Sequence, residues 1–381
     1  MHTLRPERGL ATRLRRRLNR MAIRNDFARH RRMRSPGFDL FSDDRALFAR
    51  EVPQQIPPCD VVNLHWVRGL VDVRSFFQTL AVPIVWTLHD MNAFTGGCHY
   101  SDGCDRYTAS CGMCPQLGSC KQGDLSRQVW ARKMAALRGR LSPRVSIVAP
   151  SVWLAREAER SSILGRLPIY VIPYGLDTET FRPRDRAASR RGLGIPEGAR
   201  VLLFVAQSTE NRRKGFPLLI EALGSLSGRV PDLLLVSVGQ GSPETGGLPH
   251  LSLGSVSTDD MLATIYSAAD LFVAPSLQDN LPNTVLESLA CGTPVVGFKT
   301  GGLPDMVRSG STGALVPTGD VRSLSEAIVS LLNDQSLRSG LSNECRRIAV
   351  SEYALHHQAE RYQALYADLV EPQQDIQLRA G

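Results

Sequence analysis

Two carboxylates with seven residues between them, Asp279 and Glu287 in QDNLPNTVLESLACGTPVV, flank a segment whose pattern predicts the start of a helix. The apolar run LFVAPS, residues 271–276, reads as a strand, a polar loop follows, and Asn283 and Thr284 open the helix. A helix start presents backbone N–H groups without intrahelical partners and the positive end of the dipole, so it suits a phosphate. Of the two flanking acids, one can reach a ribose and the other a sugar hydroxyl, which is the chemistry of a nucleotide-sugar site. An ordinary acid in the first turn of a helix would explain Glu287 alone, but not its company with Asp279 and the Gly-rich turns. Lys214, in NRRKGFPLL, is one of only four lysines against 41 arginines. Where basic surface is otherwise supplied as Arg, a Lys signals a need for a compact ammonium, although a solvated surface lysine is the plainer reading.

A second group sits earlier in the chain. His65 ends the strand-like run DVVNLHWV (60–67) and His89 ends PIVWTLHD (83–90). Parallel sheets hold ligand groups at the carboxyl edge of their strands, so two such histidines point to a cleft there. Asp90 is placed to orient an imidazole or to act as an acceptor-side base. Gly301 and Gly302, in KTGGLPD, either let the backbone approach a donor closely or make a tight strand-to-helix turn. Cys98, Cys104, Cys111 and Cys114 follow as C-x5-C-x6-C-x2-C, with His99 beside the first. The set suits a tetrahedral structural zinc site, and reduced cysteines packing a Gly-rich loop are the alternative. Cys120 is an outlying candidate; Cys59, Cys291 and Cys345 read as buried apolar fillers.

These groups need two scaffolds. Strand-like runs at 60–67, 83–90, 145–151 and 169–175 alternate with amphipathic stretches, and a second alternating series begins at VLLFVAQS (201–208). Such alternation predicts parallel α/β architecture: two Rossmann-like domains facing a cleft. The division expected is a first domain over 35–180, a polar linker over 181–199, a second domain over 200–345, and a helix over 346–381 that packs back on the first domain. No GxGxxG follows any strand, so a dinucleotide fingerprint is missing. The length of 381 residues accommodates two cores, and 43% apolar with 22% charged residues excludes general disorder.

The net charge of +8 is concentrated. Residues 1–34 hold twelve arginines against Glu7 and Asp26, and Leu10, Leu14, Leu18 and Met21 recur among them at helical spacing. The block predicts a basic amphipathic helix that touches an anionic lipid surface, or else an Arg-rich surface helix. No aromatic interleaving or recognised module supports a nucleic-acid partner. No run approaches the ~20 apolar residues of a membrane span, and the N-terminus lacks the apolar stretch of a secretion signal. The expected location is cytoplasmic, with peripheral contact at the inner face of the membrane.

The segments NRRKGFPLLIEAL, LVSVGQG, SAADLFVAPSLQDNLPNTVLESLACGTPVVGFKTGGLPDMV and SGSTGALVPTGD together resemble the donor domain of family 4 glycosyltransferases of the GT-B fold. With WTLHDMNAFTGGCHYSDGCDRYTASCGMCPQL, APSVWLA and VIPYGLDTETFRP, the chain is similar to bacterial exopolysaccharide transferases of the colanic-acid type, over about residues 58–370. The resemblance implies retaining transfer of a sugar from a nucleotide-diphosphate sugar to an acceptor hydroxyl, without a catalytic metal or other cofactor. The acceptor it implies is a lipid-linked saccharide. It assigns Lys214 to neutralising the phosphates, Glu287 to the ribose hydroxyls and Asp279 to the donor sugar. Asn283 and Thr284 become the helix start facing the diphosphate, and His89 a residue of the catalytic face.

The chain also departs from the family pattern. Asp279 stands where the family has a glutamate, and Thr209 where it has an arginine, which leaves Arg212 or Arg213 to supply a second positive charge. No opening strand or Gly-rich loop precedes Cys59, so the first domain is expected to lack them. Two other readings stay open at this point: a nucleotide-sugar epimerase on the same fold, and a truncated, non-catalytic nucleotide-sugar-binding relic.

Overall fold

A computed structural model of the chain describes residues 9–30, 32–34, 38–47, 51–138, 145–226, 228–241 and 244–370. The apolar runs form two fully parallel sheets, as expected for strands covered by helices on both faces. In the first, β1 (Val62–Leu64), β2 (Ile84–Thr87), β3 (Val145–Ala149) and β4 (Ile169–Val171) lie side by side in chain order. The second comprises β5 (Arg200–Ser208), β6 (Leu233–Gln240), β7 (His250–Ser252), β8 (Leu271–Ala274), β9 (Val295–Phe298) and β10 (Gly313–Val316). Its order is β10-β9-β8-β5-β6-β7, so the chain reverses direction across the sheet between β5 and β8. Loops leaving the carboxyl ends of two such strands diverge and open a crevice. Lys214 follows β5 and Asp279 follows β8, so the topology delivers both to that crevice. Among the described residues no strand precedes β1.

The segment 181–199 is not a plain linker. Its composition is polar and rich in Pro and Gly, yet Arg186–Leu193 is a helix, capped by Asp185, whose carboxylate accepts the Ala188 N–H at 2.7 Å. The deciding contact is tertiary. Arg190 is buried and lies 2.8 Å from Asp270, which also accepts the Val201 N–H at 2.8 Å and pairs with Arg186 at 3.1 Å. This buried pairing ties the segment to the second sheet, and a local sequence pattern cannot show it.

The end of the chain returns to the first domain through a break at Ala354, between helices Gln335–Tyr353 and Leu355–Val370. The second of these buries Leu365 against Val85, Val148 and Ile172. Tyr362 lies 2.8 Å from Thr87 Oγ1, and Tyr366 accepts from Asn63 at 2.7 Å. The returning helix thus begins at Leu355 rather than 346, and residues 371–381 of the expected helix lie outside the described residues.

At the other end, Leu10–Ala28 is helical. It is tied to the first domain by Arg16 on Glu51 and by Arg45 on Asp26, the latter at 2.8 Å. Residues 1–8 of the expected basic helix are outside the described residues.

Replacing one member of a buried ion pair leaves the other charge uncompensated. Asp270→Ala is therefore expected to cost about 3–5 kcal/mol of stability, read as a lower urea midpoint; an unchanged midpoint would contradict the role given to Arg190.

Candidate active site

The second-domain half of the site is organised around Asp279. The turn Arg212–Lys214, started by the Asn211 side chain accepting the Arg213 N–H at 3.0 Å, brings the Lys214 ammonium to 2.6 Å from Asp279 Oδ2. Arg213 reaches the same oxygen at 3.3 Å, and the Ser276 hydroxyl donates to it at 3.3 Å. Burial alone would raise the Asp279 pKa; Lys214 and Arg213 outweigh it and hold the carboxyl below its ordinary 3.8. Of the two arginines in question, Arg213 is the one at the site, whereas Arg212 is exposed. Arg213 also donates to Asp39 Oδ2 at 2.5 Å and to the Gln278 carbonyl at 2.9 Å.

Gly301 and Gly302 make their close approach to the chain's own backbone rather than to open space. A Cβ on Gly301, whose φ is +54°, would lie 1.7 Å from the Asp279 carbonyl oxygen, and one on Gly302 would lie 1.7 Å from that of Asn280. The absence of side chains lets the turn after β9 lock onto the Asp279 loop, and the Gly302 N–H donates to the Asp279 carbonyl at 3.0 Å.

Helix Asn283–Ala290 begins two residues beyond Leu281, with Asn283 exposed and Thr284 half-buried in its first turn. No side chain caps it. Glu287 is half-buried one turn in, accepts the Tyr266 hydroxyl at 2.8 Å, and has its pKa raised by burial.

The first-domain half is a line of rings. His89, just beyond β2, has Nε2 3.0 Å from His65 Nδ1 and Nδ1 2.7 Å from the Tyr174 hydroxyl. Burial lowers the pKa of both histidines, and each ring would further disfavour a charge on the other, so both are neutral at pH 7. The two halves meet through Asn280. Its amide donates to the His89 carbonyl at 3.1 Å and its oxygen accepts the Ser151 hydroxyl at 2.6 Å. Val152 N–H donates to Asp305 at 2.7 Å beside it.

Asp90 does not orient His89 or His65. Its Oδ2 lies 2.6 Å from His99 Nδ1, while its Oδ1 accepts the Asn92 N–H at 2.8 Å. His99 Nε2 in turn lies 2.7 Å from Ser42 Oγ, so both ring nitrogens of His99 are engaged within the first domain.

Cys98, Cys104, Cys111 and Cys114 line one cavity of about 20 Å³ and are free thiols. Among the described residues no three His, Cys, Asp or Glu side chains stand as a metal-ligand set. Burial raises the thiols of Cys98, Cys111 and Cys114, the second to about 12. The four cysteines gather around one irregular loop.

Several participants escaped sequence reasoning: Asp39, Tyr100, Ser151, Tyr174, Tyr266 and Asn280. Asn280 adjoins Asp279 and Tyr174 stands in a Tyr-Gly turn after β4, which are faint signals. The others come from segments distant in sequence and carry none.

Two parallel α/β domains whose strand ends face each other across Asp279, Asn280 and His89 form the GT-B fold. Comparison with known proteins agrees. Residues 199–334, which hold the second sheet, match the family described as "Glycosyl transferases group 1". A D-inositol 3-phosphate glycosyltransferase of Corynebacterium jeikeium (strain K411) is 36% identical over 211 residues, 50% of this chain and 48% of that protein. One from Kribbella flavida is 29% identical over 315 residues, 77% of this chain and 68% of that protein. The chain spans about half the length of the first of these curated relatives. A sucrose-phosphate synthase of Thermosynechococcus elongatus has a similar structure, with a TM-score of 0.64 at 22% identity, over 81% of this chain and 73% of that one. HepE of Anabaena, solved with UDP-glucose, gives 0.58 at 18%, over 81% and 79%. At these identities the likeness is one of fold.

The neutral histidines have a consequence for stability. An unfolded chain protonates them near pH 6.5, whereas the folded chain resists until lower pH, so they lower stability as pH falls below about 6.5. The double variant His65→Gln, His89→Gln is expected to show a shallower loss of urea midpoint between pH 7.5 and 5 than the natural chain. An identical slope would mean that the rings titrate normally.

Proposed function

We propose that this chain is a retaining, metal-independent glycosyltransferase of the hexosyl type, which moves a sugar from a nucleotide-diphosphate sugar to an acceptor hydroxyl. The observation that carries the reading is the meeting of Lys214 and Asp279 at the switch point of the second sheet, beside an uncapped helix start and opposite His89. In this reading Glu287 accepts hydrogen bonds from the ribose, and the N–H groups at Asn283 and Thr284 face the diphosphate. Lys214 supplies the compact charge that stabilises negative charge growing on the leaving diphosphate as the anomeric carbon–oxygen bond breaks. The new bond forms from the acceptor oxygen on the first-domain side, where His65 and His89 lie, and the acceptor proton leaves with the diphosphate. No residue is assigned as a covalent nucleophile, and no metal or other cofactor is assigned a part in the step.

The acceptor we propose is a lipid-linked oligosaccharide, in bacterial exopolysaccharide synthesis of the colanic-acid type at the cytoplasmic face of the membrane. Helix Leu10–Ala28 supports it. Leu10, Leu14, Leu18 and Met21 are all exposed, Leu10 by 87%, and Arg13, Arg17, Arg20 and Arg24 are exposed around them. Such a helix suits an anionic lipid surface, with the apolar side chains at the acyl boundary and the arginines among headgroups. No described helix is long and apolar enough to cross a membrane. The names of the curated relatives favour a second acceptor, inositol 3-phosphate.

The donor reading is tested by thermal stability against UDP-, GDP-, ADP- and dTDP-sugars. A ligand that binds only the folded chain at a hundredfold excess over its Kd adds about 2.7 kcal/mol. One nucleotide is expected to stabilise the chain, and Glu287→Ala and Lys214→Ala to lose the shift and at least a hundredfold in transfer while retaining the fold. Full turnover in either variant would discard the assignment. Transfer assayed with inositol 3-phosphate and with membrane extracts separates the two acceptors.

For the helix, sedimentation with vesicles of phosphatidylglycerol is expected and with phosphatidylcholine is not. Leu14→Ser with Leu18→Ser should release the chain, and equal binding by that variant would exclude the apolar face from membrane contact.

A further inference from the structure

We infer that Tyr100, a residue of the first domain, reads a hydroxyl of the donor sugar together with Asp279; this rests on the nucleotide-sugar reading above. Tyr100 belongs to the long connection between β2 and helix Leu125–Arg138, whose only helical turns among the described residues are Asn92–Phe94, Arg106–Thr108 and Pro115–Leu117. Hydrogen bonds to its main chain therefore place it. The Gln116 amide donates to the Tyr100 carbonyl, and the His99 N–H donates to the Leu40 carbonyl at 3.2 Å.

The tip of this connection crosses to the second domain. Asp102 N–H donates to Gln278 Oε1 at 3.1 Å, and the Arg213 guanidinium lies 4.0 Å from the centre of the Tyr100 ring. Arg213 is itself held by Asp39 on one side and Asp279 on the other. The ring is thus clamped across the domain junction by a cation whose own position is set by two carboxylates.

What the clamp presents is the phenol oxygen, directed at Asp279 Oδ1 at 3.4 Å. That is long for a hydrogen bond to a carboxylate, for which about 2.5–2.7 Å is usual. The two cations engage the other oxygen, Oδ2, while Oδ1 holds the Asn280 N–H at 3.1 Å and this stretched contact. A sugar hydroxyl both donates and accepts. Seated beside the two oxygens and touching both, it donates to the ionised Asp279, which can only accept, and accepts from the Tyr100 O–H. The pair then tests the position and configuration of a single hydroxyl, with one partner from each domain. The ring over Arg213 joins the domains, and the oxygen meets Asp279.

Tyr100→Phe separates these roles, because it keeps the ring over Arg213 and removes the oxygen alone. The measurement is calorimetric binding of UDP, UDP-glucose and UDP-galactose, and of GDP, GDP-glucose and GDP-mannose, to the natural chain and to the variant. We expect unchanged affinity for the free diphosphate, within about twofold. For the epimer pair that the natural chain distinguishes, we expect a loss of about tenfold in selectivity, the size of one net hydrogen bond. Transfer rates with the preferred donor should show the same loss, and Tyr100→Leu should show it together with weaker diphosphate binding as the clamp opens. A variant that keeps the full epimer ratio overturns the inference, as does a natural chain indifferent to both pairs. Failure of the natural chain to bind any of UDP, GDP, ADP and dTDP, measured alongside, overturns instead the donor reading on which the inference stands.

Discussion

The burial of the Asp279 carboxylate between two cations is the constraint on which the site depends. An ionised acid removed from water is tolerated only where opposite charge and hydrogen bonds replace its hydration. Lys214 and Arg213 supply both, so the turn after β5 and the loop after β8 must be neighbours. They are neighbours because β5 and β8 pair directly in the parallel sheet. Gly301 and Gly302 let the turn after β9 cover the loop, and Asp39 offsets the charge left on Arg213. With two cations and two acids the cluster is close to neutral. An ammonium has three donors, so Lys214 can hold a phosphate oxygen without abandoning Asp279.

The same loop joins the domains. Asn280 hydrogen-bonds the backbone of His89 and the side chain of Ser151, while Asp305 takes the N–H of Val152 at the start of the helix Ser151 caps. The two domains are therefore linked here through a buried amide. On the opposite flank, the last helix closes the first sheet with Tyr362, Leu365 and Tyr366. The first domain is completed by the end of the chain, so both domains share one folding unit at this junction.

Much of the architecture is legible in the residues. Continuous apolar runs such as VLLFV and IVWT identify buried parallel strands, and the alternation with amphipathic stretches identifies the class. Lys214, Asp279 and Glu287 are legible because they lie in a turn, a loop and a first helical turn that follow clear strands. Asp90 does hold an imidazole, but that of His99 rather than of its neighbour His89, because adjacency along a strand end says nothing of side-chain direction. The linker at 186–193 did fail, since its helix is held by an ion pair with Asp270, about eighty residues away. The cysteine spacing suits zinc, but spacing alone does not determine how four thiols converge; the fold brings them to one small cavity.

By itself, then, the sequence determined the strands, the order of the two sheets and the loops and turns that carry Lys214, Asp279 and His89, because period and turn residues act locally. Tertiary structure decided which groups share the cleft. Arg213 rather than Arg212 reaches Asp279, Asn280 bridges to His89, and Tyr100 arrives from a loop with almost no regular structure. Those choices rest on burial and charge pairing between segments far apart in the chain, where the energy of a contact exists only once the two sheets have been brought face to face.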